Sequence, residues 1–258
     1  MEAAQAQILV ADDLRIFLRP RYRTVPTWVR CDAVSTLGHL VQSIGVPLTE
    51  VGSLTVTGKP GRPGRPGKQA PPSYRPQAGD VVRVDAVRRP EPLSAAGFLL
   101  DVHLGTLARR LRLLGLDAAY SNQADDDELI EHANAQHRLL LTQDRGLLCR
   151  RALRAGAYVR GARPDDQLAD VLDRFSPELS PWTRCPACNG PLTAVSKARV
   201  DPLLRPGTRR TYEDFSQCHD CGKAYWRGAH ATTLEAIVRA SVCRSRHHSE
   251  HYSIWKEY

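Results

Sequence analysis

A chain of 258 residues with 42% hydrophobic and 25% charged side chains can bury the cores of two domains, with residues left over for a small metal module. No apolar run approaches the roughly 20 residues of a membrane-spanning helix, and Glu2, Asp12 and Asp13 stand where a secretory leader would be basic and then apolar, so a cytoplasmic, reducing setting is expected. The formal charge of +8, from 36 Lys+Arg against 28 Asp+Glu, favours a polyanionic partner such as nucleic acid.

The first domain is expected over residues 12–88. Residues 14–18 (LRIFL) read as a strand, with 27–31 (TWVRC) as its hairpin partner. Ser35 is placed to cap a helix carrying Leu37, Leu40, Val41 and Ile44 on one face. Residues 53–57 (SLTVT) and 80–87 (DVVRVDAV) read as a third and a fourth strand. Two strands, a helix and two more strands is the order of the β-grasp, ubiquitin-like fold. Residues 58–76, between the last two strands, are so rich in proline and glycine that no regular structure is expected there. Their Arg and Lys could touch phosphate, or the insertion could simply be solvated. β-Grasp carriers end in Gly-Gly, because only an unhindered C-terminus can be activated. Here the strand runs on into Arg88-Arg89-Pro90-Glu91-Pro92, which reads as a linker. That excludes the carrier role and leaves binding, with a possible protein partner, or positioning.

The second domain is expected over residues 96–176. Strands at 98–102, 117–120, 138–142 and near 157–159 alternate with helices at 104–114, 126–135, 145–153 and 165–175. That alternation implies a parallel sheet with right-handed crossovers. Residues just past parallel strands gather at one edge, where ligands bind in open α/β sheets. Asp101 ends the first strand and Asp144 follows the third. Asp125, Asp126, Asp127 and Glu128 open the helix after the second. Crowded carboxylates repel one another. Mg²⁺ or Mn²⁺ removes that cost and retains waters that can be activated. Helix capping is the competing role for each acid taken singly. Arg109, Arg110 and Arg112, on the helix after the first strand, suit a phosphate backbone.

The third module, residues 180–232, carries Cys185-Pro-Ala-Cys188 and Cys218-His-Asp-Cys221, followed by Asn189-Gly190 and Gly222. Two thiolates from each pair can close a tetrahedral sulfur site, the geometry of structural Zn²⁺, with the turns aiming backbone N–H groups at the sulfurs. Disulfides are the alternative, but seven cysteines cannot all pair and the compartment is read as reducing. Lys197, Arg199, Arg205, Arg209 and Arg210 alternate with Tyr212 and Phe215, and Tyr225 and Trp226 follow, so the module suits single-stranded RNA unless its aromatics fill a small core. Residues 233–258 are expected to hold a helix and a tail.

The runs FLLDVHLGTLARRLRLLGLDAAYS, DDDELIEHA, RLLLTQDRGLL, CPACNGPL and CHDCGKAYWRGAH, in this order, resemble the Mut-seven carboxy-terminal ribonuclease family, and the first domain is similar to the ubiquitin-like domain that precedes it. The resemblance implies an α/β chain: an N-terminal β-grasp domain, then a PIN-like parallel α/β domain with an appended C-terminal zinc ribbon. It implies Asp101, Asp126 and Asp144 as the acids holding Mg²⁺ or Mn²⁺, with Asp127 and Glu128 as near alternatives. Gln143 stands where the family usually has arginine. His230 closes the last motif, where it could touch RNA, though a structural hydrogen bond is the role favoured for it. The expected function is a divalent-metal-dependent ribonuclease. The alternative is a non-catalytic RNA-binding adapter built on the zinc ribbon.

Overall fold

In the N-terminal sheet, alternation of small or apolar with polar residues sets the inward face. Strand β1 (Gln5–Val10) points Ala6 and Ile8 inward, and pairs antiparallel with β2 (Thr27–Arg30). Strands β3 (Val51–Thr57), β4 (Lys68–Gln69) and β5 (Val81–Ala86) complete a sheet of order β2-β1-β5-β3-β4. Its central pair, β1 and β5, is parallel, with Ile8 opposite Val82. Helix α1 (Leu37–Ser43) supplies the crossover and buries Leu37, Leu40 and Val41 against the same core as Ile8, Val82 and Val84. This is the expected β-grasp architecture. The computed structural model describes residues 5–23, 27–32, 34–58, 67–226 and 235–241. They fall into two units, Met1–Arg89 with Thr142–Tyr158, and Pro90–Leu141 with Val159–Tyr258.

Three local expectations are corrected. Residues 14–18 are not a strand. Asp12–Phe17 is a 3-10 helix that buries Leu14 and Phe17, while Arg15 and Ile16 face solvent. That three-residue spacing is helical, and the first strand lies upstream. The cap of α1 is Thr36, whose hydroxyl accepts from the His39 N–H at 3.3 Å, one residue beyond Ser35. The Pro/Gly-rich segment is not wholly irregular. Lys68 and Gln69 return to pair with Val56 and Thr55 of β3, which backbone groups alone can do. Residues 59–66 of that segment lie outside the described residues.

In the second unit, strand β6 (Phe98–Leu100) is followed by α2 (Gly105–Leu113), β7 (Ala118–Tyr120), α3 (Asp126–Ala135) and β8 (Leu139–Thr142). Central β6 runs parallel to both β7 and β8, and Leu100 lies opposite Tyr120 and Leu141, so the three strands end level. The helices bury Leu107, Ala108 and Leu111 from α2 and Leu129, Ile130 and Ala133 from α3, the three- and four-residue spacing of an amphipathic face. The chain then contributes residues 142–158 to the first unit, with helix α4 (Arg145–Leu148), shorter than expected, and strand β9 (Gly156–Tyr158). It returns to the second unit through α5 (Pro164–Phe175), which packs on α2. Phe98 and Phe175 meet at 5.6 Å, and the buried Arg174 guanidinium bonds Glu91 at 2.8 Å.

The C-terminal module is an antiparallel sheet of β10 (Leu192–Val195), β11 (Phe215–Cys218) and β12 (Ala224–Trp226), ordered β10-β11-β12. Two short helices, α6 (Lys197–Val200) and α7 (Pro206–Thr211), lie between β10 and β11 in the chain. Val200, Leu204 and Phe215 form its core, with Tyr212 packed alongside. Residues 235–241 are helical. Among the described residues, no helix is long and apolar enough to cross a membrane.

Candidate metal centre and acidic edge

The four cysteines meet. The sulfurs of Cys185, Cys188, Cys218 and Cys221 all lie within 4.8 Å of one another, and among the described residues they are the group of His, Cys, Asp and Glu so gathered. Cys185 and Cys221 are 3.8 Å apart, and Cys188 and Cys218 3.4 Å. All four are free thiols, not disulfides, whose sulfurs would lie about 2.05 Å apart. A tetrahedron of sulfurs about 2.3 Å from Zn²⁺ has edges of about 3.8 Å, so the set fits a metal such as zinc. Each pair sits in a tight turn. Asn189 N–H returns to the Cys185 carbonyl at 2.9 Å, and Gly222 N–H to that of Cys218 at 3.1 Å. Both turns need left-handed backbone, with φ of 74° at Asn189 and 70° at Gly222. As expected, they aim amides at sulfur. Burial pushes the Cys185 thiol up, but the Tyr225 hydroxyl at 3.0 Å and the N–H groups of Cys188 and Ala187 outweigh it and bring it down to about 7. Burial and the neighbouring thiols push Cys188 up to about 12, and burial raises Cys218.

The first cysteine turn is fixed to the end of α2. Arg112 is 4% exposed and spans the two. Its Nε donates to the Ala118 carbonyl at 2.7 Å, and its Nη1 to the carbonyls of Pro186 and Ala187 at 3.2 and 3.0 Å. The expectation that Arg112 offers itself to a phosphate track is therefore not met, because the guanidinium is consumed inside the protein. Asn189 adds a second tie. Its Oδ1 accepts from Ala118 N–H at 3.1 Å and its Nδ2 donates to Asp117 Oδ1 at 2.8 Å. Burial raises the Asp117 carboxyl, but hydrogen bonds from Arg138 and Asn189 outweigh it and hold the pKa below the usual carboxylate range. Gly115, at φ +84°, brings the end of α2 against the Ser180 carbonyl, 2.0 Å from where a Cβ would sit. An arginine on a helix and an asparagine in a turn carry no signal of what they reach.

Asp101 is 6% exposed at the carboxyl end of central β6. Its N–H bonds the Leu141 carbonyl at 3.0 Å and its carbonyl accepts from Leu104 N–H at 2.9 Å. The Tyr120 hydroxyl, on neighbouring β7, holds the next carbonyl, Val102, at 2.8 Å. Asp126 and Asp127 are exposed in the first turn of α3, where the helix dipole favours negative charge. Glu128 is used differently. It forms a capping box with Asp125, accepting from the Asp125 N–H at 3.1 Å while Asp125 accepts from its own at 2.9 Å. Asp144, in the first unit, caps α4, its Oδ1 accepting from Gly146 and Leu147 N–H at 2.6 and 3.3 Å. Among the described residues, no three carboxylate ligand atoms are drawn together as the four sulfurs are.

Of the other basic residues, Arg109 is exposed, while Arg110 pairs with Asp165 at 2.7 Å. In the C-terminal module Lys197 pairs with Glu213, Arg209 with Asp201, and Arg199 bonds Gln217. Phe215 is buried in the module's core, whereas Trp226 is 40% exposed. His230 lies outside the described residues.

Residues 96–238, more than half of the chain, match the family model described as Mut7-C RNAse domain, and residues 3–91 match the one described as Mut7-C ubiquitin. No curated protein and no solved structure matches the chain. The ubiquitin-like domain ahead of a ribonuclease-type domain with a four-cysteine ribbon is the order that the motifs imply, and the chain belongs to the Mut7-C RNAse domain family.

Proposed function

We propose that the protein is a divalent-metal-dependent ribonuclease that hydrolyses RNA phosphodiester bonds. The observation that carries this reading is the Asp101 carboxyl, 6% exposed at the carboxyl end of the central strand of a parallel sheet, within the stretch that matches a ribonuclease domain. This edge is where open α/β sheets bind ligands. The donor chemistry fits a hard cation, since Mg²⁺ and Mn²⁺ select carboxylate and water oxygens. Asp101 and Asp126, with Asp127 or Glu128 in support and Asp144 as the third acid of the motifs, would hold an ion that supplies an activated water and offsets charge on the phosphate. Exposed Arg109 offers a phosphate contact, and the exposed ring of Trp226 a face for base stacking. His230 retains the RNA contact that its motif implies as an alternative to a structural hydrogen bond. The four-cysteine ribbon holds zinc as scaffolding.

The test incubates the purified protein with mixed RNA and Mn²⁺, beside Asp101→Asn and Asp144→Asn. Cleavage by the parent that both substitutions abolish is the expected result; equal cleavage by all three rejects the assignment. A specific observation favours a second reading, the non-catalytic RNA-binding adapter: Glu128 and Asp144 already accept helix-start amides. Tight RNA binding unchanged by EDTA, with no turnover, would establish the adapter instead.

A further inference from the structure

The first unit contains more than the ubiquitin-like domain. Residues 142–158 lie within the stretch that matches the ribonuclease family, yet they belong to the unit built on residues 1–89. Four contacts hold them there. Tyr158 packs on the β-grasp core, its ring meeting that of buried Phe17 edge-on at 5.0 Å and 87°. Glu50, 1% exposed, accepts the Tyr158 N–H on Oε1 at 2.8 Å. Gln42, at the end of α1, donates to the Cys149 carbonyl at 3.3 Å. The Arg145 guanidinium lies 6.0 Å from the Phe17 ring centroid and reaches the Phe17 carbonyl at 3.5 Å. The contacts come from the 3-10 helix, from α1 and from the turn before β3, three separate parts of the β-grasp domain.

We infer that the ubiquitin-like domain is an intramolecular brace, and that its ligand at this face is the chain's own segment 142–158. The segment opens with Asp144, whose N–H is held by the Thr142 hydroxyl at 2.9 Å and whose neighbour Arg145 is one of the braced residues. Helix α4, which Asp144 caps, has four residues and too few hydrogen bonds to stand alone. Its order comes from what it packs against. Glu50, Gln42 and Phe17 are accordingly positioning residues for Asp144. A carrier would need its C-terminus for chemistry, and a docking module would keep this face clear for another protein; a brace does neither.

The brace rests on the ribonuclease reading only for its effect on turnover. The test compares the full chain with Glu50→Ala, Glu50→Gln and Gln42→Ala by hydrogen exchange and by RNA cleavage. Glu50→Ala leaves the Tyr158 amide without its acceptor, so exchange over 145–158 rises about tenfold while amides of β5 stay protected. kcat falls about tenfold with KM within about twofold, because Asp144 loses its placement while RNA contacts elsewhere remain. Glu50→Gln keeps the Oε1 acceptor and restores both. Gln42→Ala, a mild change at a helix end, gives a smaller rise of about threefold centred on residues 149–151. Unchanged exchange over 145–158 in both alanine variants overturns the brace, as does β5 opening together with the segment. A loosened segment with unchanged kcat overturns the positioning role. A parent that cleaves no RNA sinks the ribonuclease reading alone and leaves the exchange data to decide the brace.

Discussion

Replacing Arg112 by alanine tests whether the cysteine module is held by one buried guanidinium. The bond to the Ala118 carbonyl is fully buried, and leaving that acceptor unpaired costs about 1–3 kcal/mol. The bonds to Pro186 and Ala187 are partly buried, where water can take over, so about 1 kcal/mol each is reasonable. The lost packing of the aliphatic stem adds to this. Against it stands the cost of burying the charge, visible in the lowered pKa of Arg112, which desolvation causes. The net is about 3 kcal/mol. For a unit of this size the melting temperature falls by about 2–4 °C per kcal/mol, or about 6–12 °C in all. The assay is thermal unfolding of the zinc-loaded full chain, paired with the rate of zinc release to a coloured chelator. Arg112→Ala should melt at the lower temperature and release zinc faster, because the Cys185 turn loses its two carbonyl anchors. Arg112→Met, which keeps the stem, should recover the packing part and leave the faster release. Arg112→Lys should resemble methionine, since one ammonium cannot span three carbonyls. Melting within about 2 °C of the parent, with zinc released at the parental rate, would show that the anchor is not what fixes the module.

Tyr225→Phe removes the hydroxyl that bonds Cys185 at 3.0 Å, and metal competition should show about tenfold weaker binding; unchanged affinity would refute an outer role for this tyrosine. Asp117 has a folded pKa below its unfolded value of about 3.9, so its stabilisation is complete above that pH and is lost as pH falls through the lower folded value. The melting gap between parent and Asp117→Asn should therefore be wide near about pH 7 and close below about pH 4, and a gap independent of pH would contradict the pairing with Arg138 and Asn189. Gly115→Ala puts a methyl on the Ser180 carbonyl at positive φ, so the backbone around Ser180 must move. Faster proteolysis around residues 176–184 is expected, and parental resistance would show that the end of α2 has room to adjust.

Much of the secondary structure is legible in the residues because it rests on local periodicity. Helix α3 begins and ends where its acidic cap and apolar spacing place it, Asp126–Ala135. The parallel strands of the second unit are short apolar runs bounded by polar residues and turns, and are found as such. The error at residues 14–18 has a local cause too: Leu14, Phe17 and Leu18 follow a helical spacing, but a short apolar run ending before Pro20 also looks like a strand. Gln5–Val10 carries a weak strand signal because its fully buried side chains are only Ala6 and Ile8. Of the site, the cysteine quartet is legible because ligand spacing is local within each pair and sulfur chemistry is specific. The acids are less so, since one residue type serves both as helix cap and as metal ligand. Glu128 and Asp144 are caps here whatever else they bind.

Most of the strands and helices, the convergence of four thiols and the family are legible from the residues alone. Those properties are encoded in spacing of a few residues and in side-chain chemistry. The residues alone do not reveal that Arg112 turns inward to hold the cysteine turn, that Asn189 and Asp117 tie the module to β7, or that residues 142–158 pack with the ubiquitin-like domain. Each of these joins residues tens of positions apart through long, flexible side chains or backbone carbonyls. Which partner such a group reaches is set by the packing of whole elements, and no local pattern records it.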